Sequence, residues 1–369
     1  MKSLLRDSLI VIFITAILFG LIEVSFRLFA PQEIIHVYKD EQSLALRDSV
    51  LGHVYRPDAS SKVRGPEFTV EYKINAFGMR DEAFHPAIKP ENTLRILILG
   101  DSFAFGAAND YQNIWPVVFE RALTQKGYKI DVMKAGVSAY DTKKEVLYLE
   151  RLYPDYHPDV VVLNFLPNDL FTNTPIAVNP AAEAWADLNS DEPVVRAQED
   201  KTNALHSVLF AKRMLLSNDF FYTRLYLLTR RSDYFSMPLS ENLQKQISIT
   251  QQILQRATDF CEQRGARFVV LFIPQQFQVI VKAKELQFEN INVVFIDELF
   301  YDFAREKNFF WITTLPTLVE HYKSNDVDLY FRLDGHLNKY GNQLVGDYFA
   351  AEFEKIFAQQ LSPTKGYSQ

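Results

Sequence analysis

The chain has 369 residues, 48% hydrophobic and 23% charged, which is enough apolar content for one large packed domain with appendages and excludes a disordered polypeptide. The formal net charge is −7 and the Lys and Arg residues form no long runs, so nothing favours nucleic acid or another polyanion as a partner. Cys261 is the single cysteine, which removes an intramolecular disulfide and any multi-thiolate metal site and leaves the apolar core to hold the fold.

From Ser8 to Phe26 the only charged residue is Glu23. Helical residues rise ~1.5 Å each, so this stretch approaches a hydrocarbon core of ~30 Å and predicts a transmembrane anchor over residues 1–30. A cleaved signal peptide is the competing reading, but the exit Arg27-Leu28-Phe29-Ala30-Pro31 offers no small-x-small cleavage site. Lys2 and Arg6 precede the span while Arg27, Lys39 and Arg47 follow it, a small bias; a single-pass topology with the large remainder outside the cytoplasm is the expectation.

Residues 31–93 read as a stalk and a small β segment. Pro31 to Val50 is mixed, a stalk or a first helix, whereas Phe68 to Ile74 alternates apolar and polar at period two, as a half-buried strand does. Asn75, Gly78 and Arg80 close it as a turn. Two readings stand side by side: a β module leading into the main domain, or an edge hairpin with no part in chemistry.

A main domain over residues 94–360 follows. Ile96–Leu99, Ile130–Met133, Val160–Phe165, Phe268–Ile273 and Val293–Ile296 are short apolar runs that read as buried strands. Between and after them, Ile114–Leu123, Thr142–Tyr153, Glu241–Arg264 and Asn338–Ile356 read as helices, giving a parallel sheet covered on both faces. An insertion at about 171–240 begins with a stretch of few periodic apolar positions. It continues through Ser207 to Phe235, where aromatic and basic residues mix; packing on the main domain and a lid or membrane-surface contact are both open there. Residues 361–369 form a polar tail, expected to fray.

The strongest chemical signal is Gly100-Asp101-Ser102-Phe103-Ala104-Phe105-Gly106, directly after an apolar strand. In an open parallel sheet, ligands bind beyond the carboxyl ends of the strands, so Ser102 on a glycine-flanked turn is placed to act as a nucleophile. Its other reading is a helix start at which Asp101 or Ser102 caps backbone N–H groups. A serine needs a base, and His336 in Leu333-Asp334-Gly335-His336 has Asp334 two residues before it to orient an imidazole. Asp155-Tyr156-His157 repeats that spacing but precedes the Val160 strand, at the amino edge of the sheet, so His157 is the poorer base. His36, His53, His85, His206 and His321 read as surface or packing residues. Acyl chemistry also needs donors for an oxyanion: Asn168, after the Val160 strand, and the N–H of Gly136, after the Ile130 strand, are candidates, each with a bland alternative as turn chemistry.

The order Ser102, Gly136, Asn168, His336 resembles the four blocks that name the SGNH hydrolases, the larger family containing the GDSL esterases and lipases, over about Arg95 to Phe357. The resemblance implies an α/β fold, a flavodoxin-like three-layer α/β/α sandwich with a parallel sheet. It implies Ser102 as nucleophile, His336 as base, Asp334 as its orienter, and an oxyanion hole from the N–H groups of Ser102 and Gly136 with the Asn168 side chain. It implies a substrate that is an acylated, often acetylated, carbohydrate or lipid ester at the cell surface, with hydrolysis and acyl transfer equally served by an acyl-serine; no metal-ligand cluster is seen in the sequence and no cofactor is expected. Two positions depart from the family pattern: Leu166 stands where a glycine is usual, and the carboxylate lies two residues before the histidine rather than three. These departures motivate the rival reading, a catalytically silent scaffold of envelope polysaccharide assembly. A phosphate-binding domain fares poorly, because no Gly-rich loop with a lysine is present. Oligomeric state is not legible.

Overall fold

The computed structural model describes residues 2–32, 43–175, 205–325 and 327–361. His36, the part of the expected stalk at 33–42, the part of the insertion at 176–204 and the tail from 362 lie outside the described residues. In chain order the elements are α1 (Lys2–Phe29), β1 (Ala45–Asp48), β2 (Gly52–Tyr55), β3 (Ser60–Arg64), β4 (Thr69–Lys73), β5 (Leu94–Gly100), α2 (Ser102–Phe105) and α3 (Trp115–Gln125). They continue as β6 (Ile130–Gly136), α4 (Thr142–Tyr156), β7 (Val160–Phe165), α5 (Asp169–Thr172), α6 (His206–Leu216), α7 (Asp219–Leu227) and α8 (Glu241–Glu262). The last are β8 (Arg267–Phe272), α9 (Gln276–Ala283), α10 (Phe295–Lys307), β9 (Phe310–Thr313), α11 (Leu315–Asn325) and α12 (Lys339–Phe357).

Strands β5 to β9 form one parallel sheet in the order β6-β5-β7-β8-β9. Every residue of β5 and β7 is buried, which is why their sequences, apart from Arg95 and Asn164, run apolar without alternation. The step from β5 to β6 moves one way along the sheet and every later step moves the other way. Right-handed crossovers therefore put α3 on one face, where it packs with α12, and α4, α8 and α10 on the other. The result is the three-layer α/β/α sandwich with flavodoxin-like strand order, and its switch point lies between the carboxyl ends of β5 and β7.

One short apolar run was misassigned from sequence. Val293–Ile296 is not a strand: Phe295 opens α10, which buries Ile296, Phe300 and Ala304 at helical spacing, carries Asp297 and Glu298 in its first turn and ends on Asn308 in the left-handed region (φ 59°). A four-residue apolar run fits either period, and here the residues after it decide. The fifth strand is β9, which pairs with β8 from Phe310 opposite Val269 to Thr313 opposite Phe272. Before the sheet, Ala45–Asp48 is neither stalk nor helix but a strand paired with Gly52–Tyr55, and Thr69–Lys73 pairs with Ser60–Arg64.

A buried ionic network fastens the segment after these hairpins to the amino half of the sheet. His85 hydrogen-bonds Asp81 at 2.8 Å and Asp131 at 2.5 Å, Arg95 reaches Asp131 at 2.8 Å, and Lys134 lies 3.2 Å from Asp81 and 2.8 Å from Glu120. His85 is thus an ionic anchor, more than a packing residue. Burial alone would lower its pKa, but Asp131 and Asp81 outweigh it and raise His85 to about 9.

A group whose pKa rises on folding contributes stability that is complete below its ordinary value and lost as pH climbs through the folded value. Unfolding free energy measured in urea should therefore fall between pH 6.5 and about 9, the window set by His85. His85→Ala should cost about 3 kcal/mol at neutral pH and flatten that slope, because removing one partner strands buried charge; equal slopes in the two proteins would refute the assignment.

Candidate active site

Strand β5 ends at Gly100, and the chain turns at once into α2. Asp101 caps that helix, its Oδ1 accepting from the Phe103 N–H at 2.9 Å, and Gly106 closes it in the left-handed conformation (φ 78°). Ser102 occupies the first helical position and is partly exposed at the carboxyl edge. A single tight turn is possible because Gly100 and Gly136 sit opposite each other in the β5/β6 register. A Cβ on Gly136 would stand 2.4 Å from the Phe105 nitrogen and 2.6 Å from the Ala104 carbonyl carbon. Glycine at 136 is thus what lets β6 lie against the back of α2.

The loop between α11 and α12 returns across the carboxyl edge and brings His336 to Ser102. Nε2 lies 2.7 Å from Ser102 Oγ, and Nδ1 lies 2.5 Å from Asp334 Oδ1. An ionised carboxylate only accepts, so the proton of the neutral ring sits on Nδ1 and Nε2 is left to accept from the serine hydroxyl. Burial alone would raise the Asp334 carboxyl; its hydrogen bonds with His336, and the charge of the ring when protonated, outweigh this and hold it below the ordinary value. The two-residue spacing works because Gly335 adopts φ 91° and the Gly335 N–H donates back to the Phe331 carbonyl at 2.8 Å, folding the loop tightly enough for Asp334 to reach the ring.

Asn168 follows β7 at the same edge, across the switch point from Ser102. Its Nδ2 donates to Asp169 Oδ1 at 3.5 Å, and its Oδ1 accepts from Gln275 Nε2 at 3.4 Å. Leu166, in the place of the family glycine, is buried and donates its N–H to Asp169 at 3.1 Å, so the turn closes without glycine. Burial pushes the Asp101 carboxyl up to about 6, and Glu145 and Asp169, both fully buried, are raised as well by burial and by mutual repulsion. His157 lies at the other end of the sheet. It caps α4 in the left-handed conformation just before β7, where Asp159 donates its N–H to the carbonyl of Arg95 at the start of β5.

Two residues at the site gave no signal in the sequence. Arg80 is buried and donates to the carbonyls of Phe105 and Gly106 at 2.8 Å and of Asn109 at 2.6 Å, with its guanidinium 4.5 Å from the Tyr72 ring centre. Glu67, in the β3–β4 turn, accepts the N–H groups of Arg332 (2.9 Å), Leu333 (2.8 Å) and Asp334 (3.1 Å). The same hairpin region therefore grips the serine turn at one point and the histidine loop at another. No short motif announces a carboxylate that pairs with backbone 265 residues away.

No family model and no curated protein matches this chain. Solved structures similar to it include the psychrotrophic esterase EstA from Pseudoalteromonas sp., 12% identical over 73% of this chain and 100% of that one, with a TM-score of 0.41. A lipase/acylhydrolase from Enterococcus faecalis is 14% identical over 74% of this chain and 100% of that one (TM-score 0.40). A member of the lipolytic protein G-D-S-L family from Veillonella parvula is 12% identical over 70% and 97%, respectively (TM-score 0.39).

Gly136→Ala should force α2 off β6 and lengthen the Ser102–His336 contact beyond hydrogen-bonding distance, with a loss of about 2 kcal/mol in stability from overpacking. A crystal structure of the variant with the contact still near 2.7 Å would contradict this account of the turn.

Proposed function

We propose that this protein is a membrane-anchored serine esterase of the SGNH type, acting on acyl esters of a carbohydrate or lipid at the outer face of the membrane. The observation that carries the reading is the unbroken chain from Ser102 Oγ through His336 to Asp334, with contacts of 2.7 and 2.5 Å at the carboxyl edge of a parallel sheet. The organisation that goes with it is an anchor over residues 1–30, a bracing segment over 31–93 and the catalytic domain over 94–360 with its insertion at about 171–240. The helix Leu5–Phe29 is long and apolar enough to cross a membrane, which supports the anchor.

In this reading Ser102 Oγ attacks the ester carbonyl carbon while its proton passes to His336 Nε2, and the Asp334 carboxylate stabilises the imidazolium. The oxyanion is received by the Ser102 and Gly136 N–H groups and the Asn168 amide. Collapse of the tetrahedral intermediate expels the alcohol, which takes the proton from His336. Water, or a hydroxyl of an acceptor sugar, then attacks the acyl-serine with His336 again taking the proton, so hydrolysis and transfer differ only in the second nucleophile.

A fluorophosphonate probe should label the purified full-length protein at one site, and Ser102→Ala should abolish the labelling. Absence of any labelling of the unaltered protein would favour the scaffold reading instead. Asp334→Asn should lower kcat on a p-nitrophenyl acyl ester roughly 10³-fold, because the ring loses the acceptor that fixes its tautomer.

Glu67 is a positioning residue in this scheme, since it acts through the backbone N–H groups of Arg332, Leu333 and Asp334. Glu67→Gln keeps one acceptor oxygen and should reduce kcat about tenfold while leaving KM unchanged, and Glu67→Ala should do more. A change confined to KM, or none, would remove Glu67 from the positioning role.

A further inference from the structure

The one charge in the apolar N-terminal helix is not left to lipid. Glu23 accepts the His206 N–H at 2.9 Å, the Ser207 N–H at 3.0 Å and the Ser207 hydroxyl at 2.8 Å, and pairs with Arg27 at 2.7 Å. It thereby satisfies the amino end of α6. Further along, Phe26 packs on Phe210 with ring centres 4.9 Å apart, and Gln32 exchanges hydrogen bonds with His206 (2.7 Å) and Arg213 (2.8 Å). These contacts set the start of α6 beside the last turns of α1, with Gln32 reaching both His206 and Arg213.

That placement fixes a depth. The apolar span Leu5–Phe29 has 25 residues, which at ~1.5 Å each is ~37 Å, longer than a hydrocarbon core of ~30 Å. Its last turns, from Glu23 onward, therefore cross the headgroup boundary, and the start of α6 is at the same level. There α6 turns outward Val208 and Met214 (52% and 60% exposed) with Lys212 between them. On α7, Phe220, Phe221, Arg224 and Leu228 share the exposed face, opposite Thr223 and Tyr226, which are buried against the domain. Exposed apolar residues interleaved with Lys and Arg, on helices joined to the end of α1 through the Phe26–Phe210 contact, are the composition of an interfacial surface.

We propose that the exposed faces of α6 and α7 lie in the headgroup layer of the membrane that α1 spans and hold the catalytic sheet at a fixed height above it; this rests on the reading of α1 as a membrane span. Lipid is the occupant because the surface continues that of α1 at the Phe26–Phe210 contact, and because its cations match anionic headgroups.

The test uses the full-length protein with buried Cys261 replaced by alanine, reconstituted in phosphatidylcholine/phosphatidylglycerol vesicles. An environment-sensitive fluorophore is placed singly at Met214→Cys, Phe221→Cys, Ile14→Cys or Asp155→Cys. Nitroxide-bearing lipids should quench Met214→Cys and Phe221→Cys at least about twofold more than the solvent reference Asp155→Cys and less than the deep reference Ile14→Cys. Removing phosphatidylglycerol should weaken quenching at Phe221→Cys. Quenching at Ile14→Cys alone, with Met214→Cys and Phe221→Cys matching Asp155→Cys, would overturn the surface while sparing the span. Absence of quenching at Ile14→Cys would overturn the span and the surface with it. Protection of Met214→Cys and Phe221→Cys from both lipid nitroxide and aqueous iodide would mean a protein covers the face, and would also overturn the proposal.

Discussion

The structure turns on one contact, Ser102 Oγ to His336 Nε2 at 2.7 Å, made between segments 234 residues apart. The sheet alone does not make it. Ser102 follows the second strand from one edge, whereas the histidine loop follows β9, the edge strand on the other side, and must come back over β8 and β7. A loop crossing that distance loses conformational freedom and needs fixed points along its way. The points are visible: Tyr330 donates to the Pro274 carbonyl beyond β8 at 2.6 Å, Asn338 caps α12, and Asn109 donates to the Leu337 carbonyl at 2.7 Å.

The remaining fixed points come from outside the sheet, which gives the segment before it a purpose. Arg80 is a buried guanidinium, costly to desolvate without acceptors, and its two terminal nitrogens donate to three carbonyls of the stretch just past Ser102. Tyr72 and Tyr55 flank Phe105 in the same place, with ring centres 4.9 and 5.0 Å away. Glu67 then takes three N–H groups of the histidine loop, bonds made stronger by its charge. The two hairpins act as a brace with one arm on each half of the dyad, and the ionic network around His85 fastens the end of that brace to the sheet.

Much of this was legible in the residues, and the boundary of legibility is physical. The β7 strand matches the run Val160–Phe165, apolar except for Asn164, residue for residue, because a strand buried on both faces shows little polar alternation. Ser102 and Gly136 were visible because local backbone geometry demands glycine or a tight turn at those points. Phe310–Thr313 was missed and Val293–Ile296 taken in its place, since a four-residue apolar stretch contains too little period to separate strand from helix. Glu67 and Arg80 were invisible for a different reason: their partners are main-chain atoms, and main-chain atoms leave no mark on the identity of distant residues.

Glu23 shows how an anomaly in composition becomes an explanation in three dimensions. An acid in an apolar helix is expensive to desolvate unpaired, and this one is enclosed by the first turn of α6 and by Arg27. From α6 the chain leads directly into α7, whose first residue, Asp219, accepts hydrogen bonds from Arg332 and from Tyr322 at 2.8 Å. Arg332 lies in the histidine loop, four residues before His336. Polar contacts at the two ends of the α6–α7 segment thus tie the end of α1 and the loop that carries the imidazole to the same stretch of chain, and each is a charge or a donor that would be destabilised if left alone. The insertion links the end of α1 to the loop that carries His336 and meets that loop at Arg332, the same residue whose N–H Glu67 accepts.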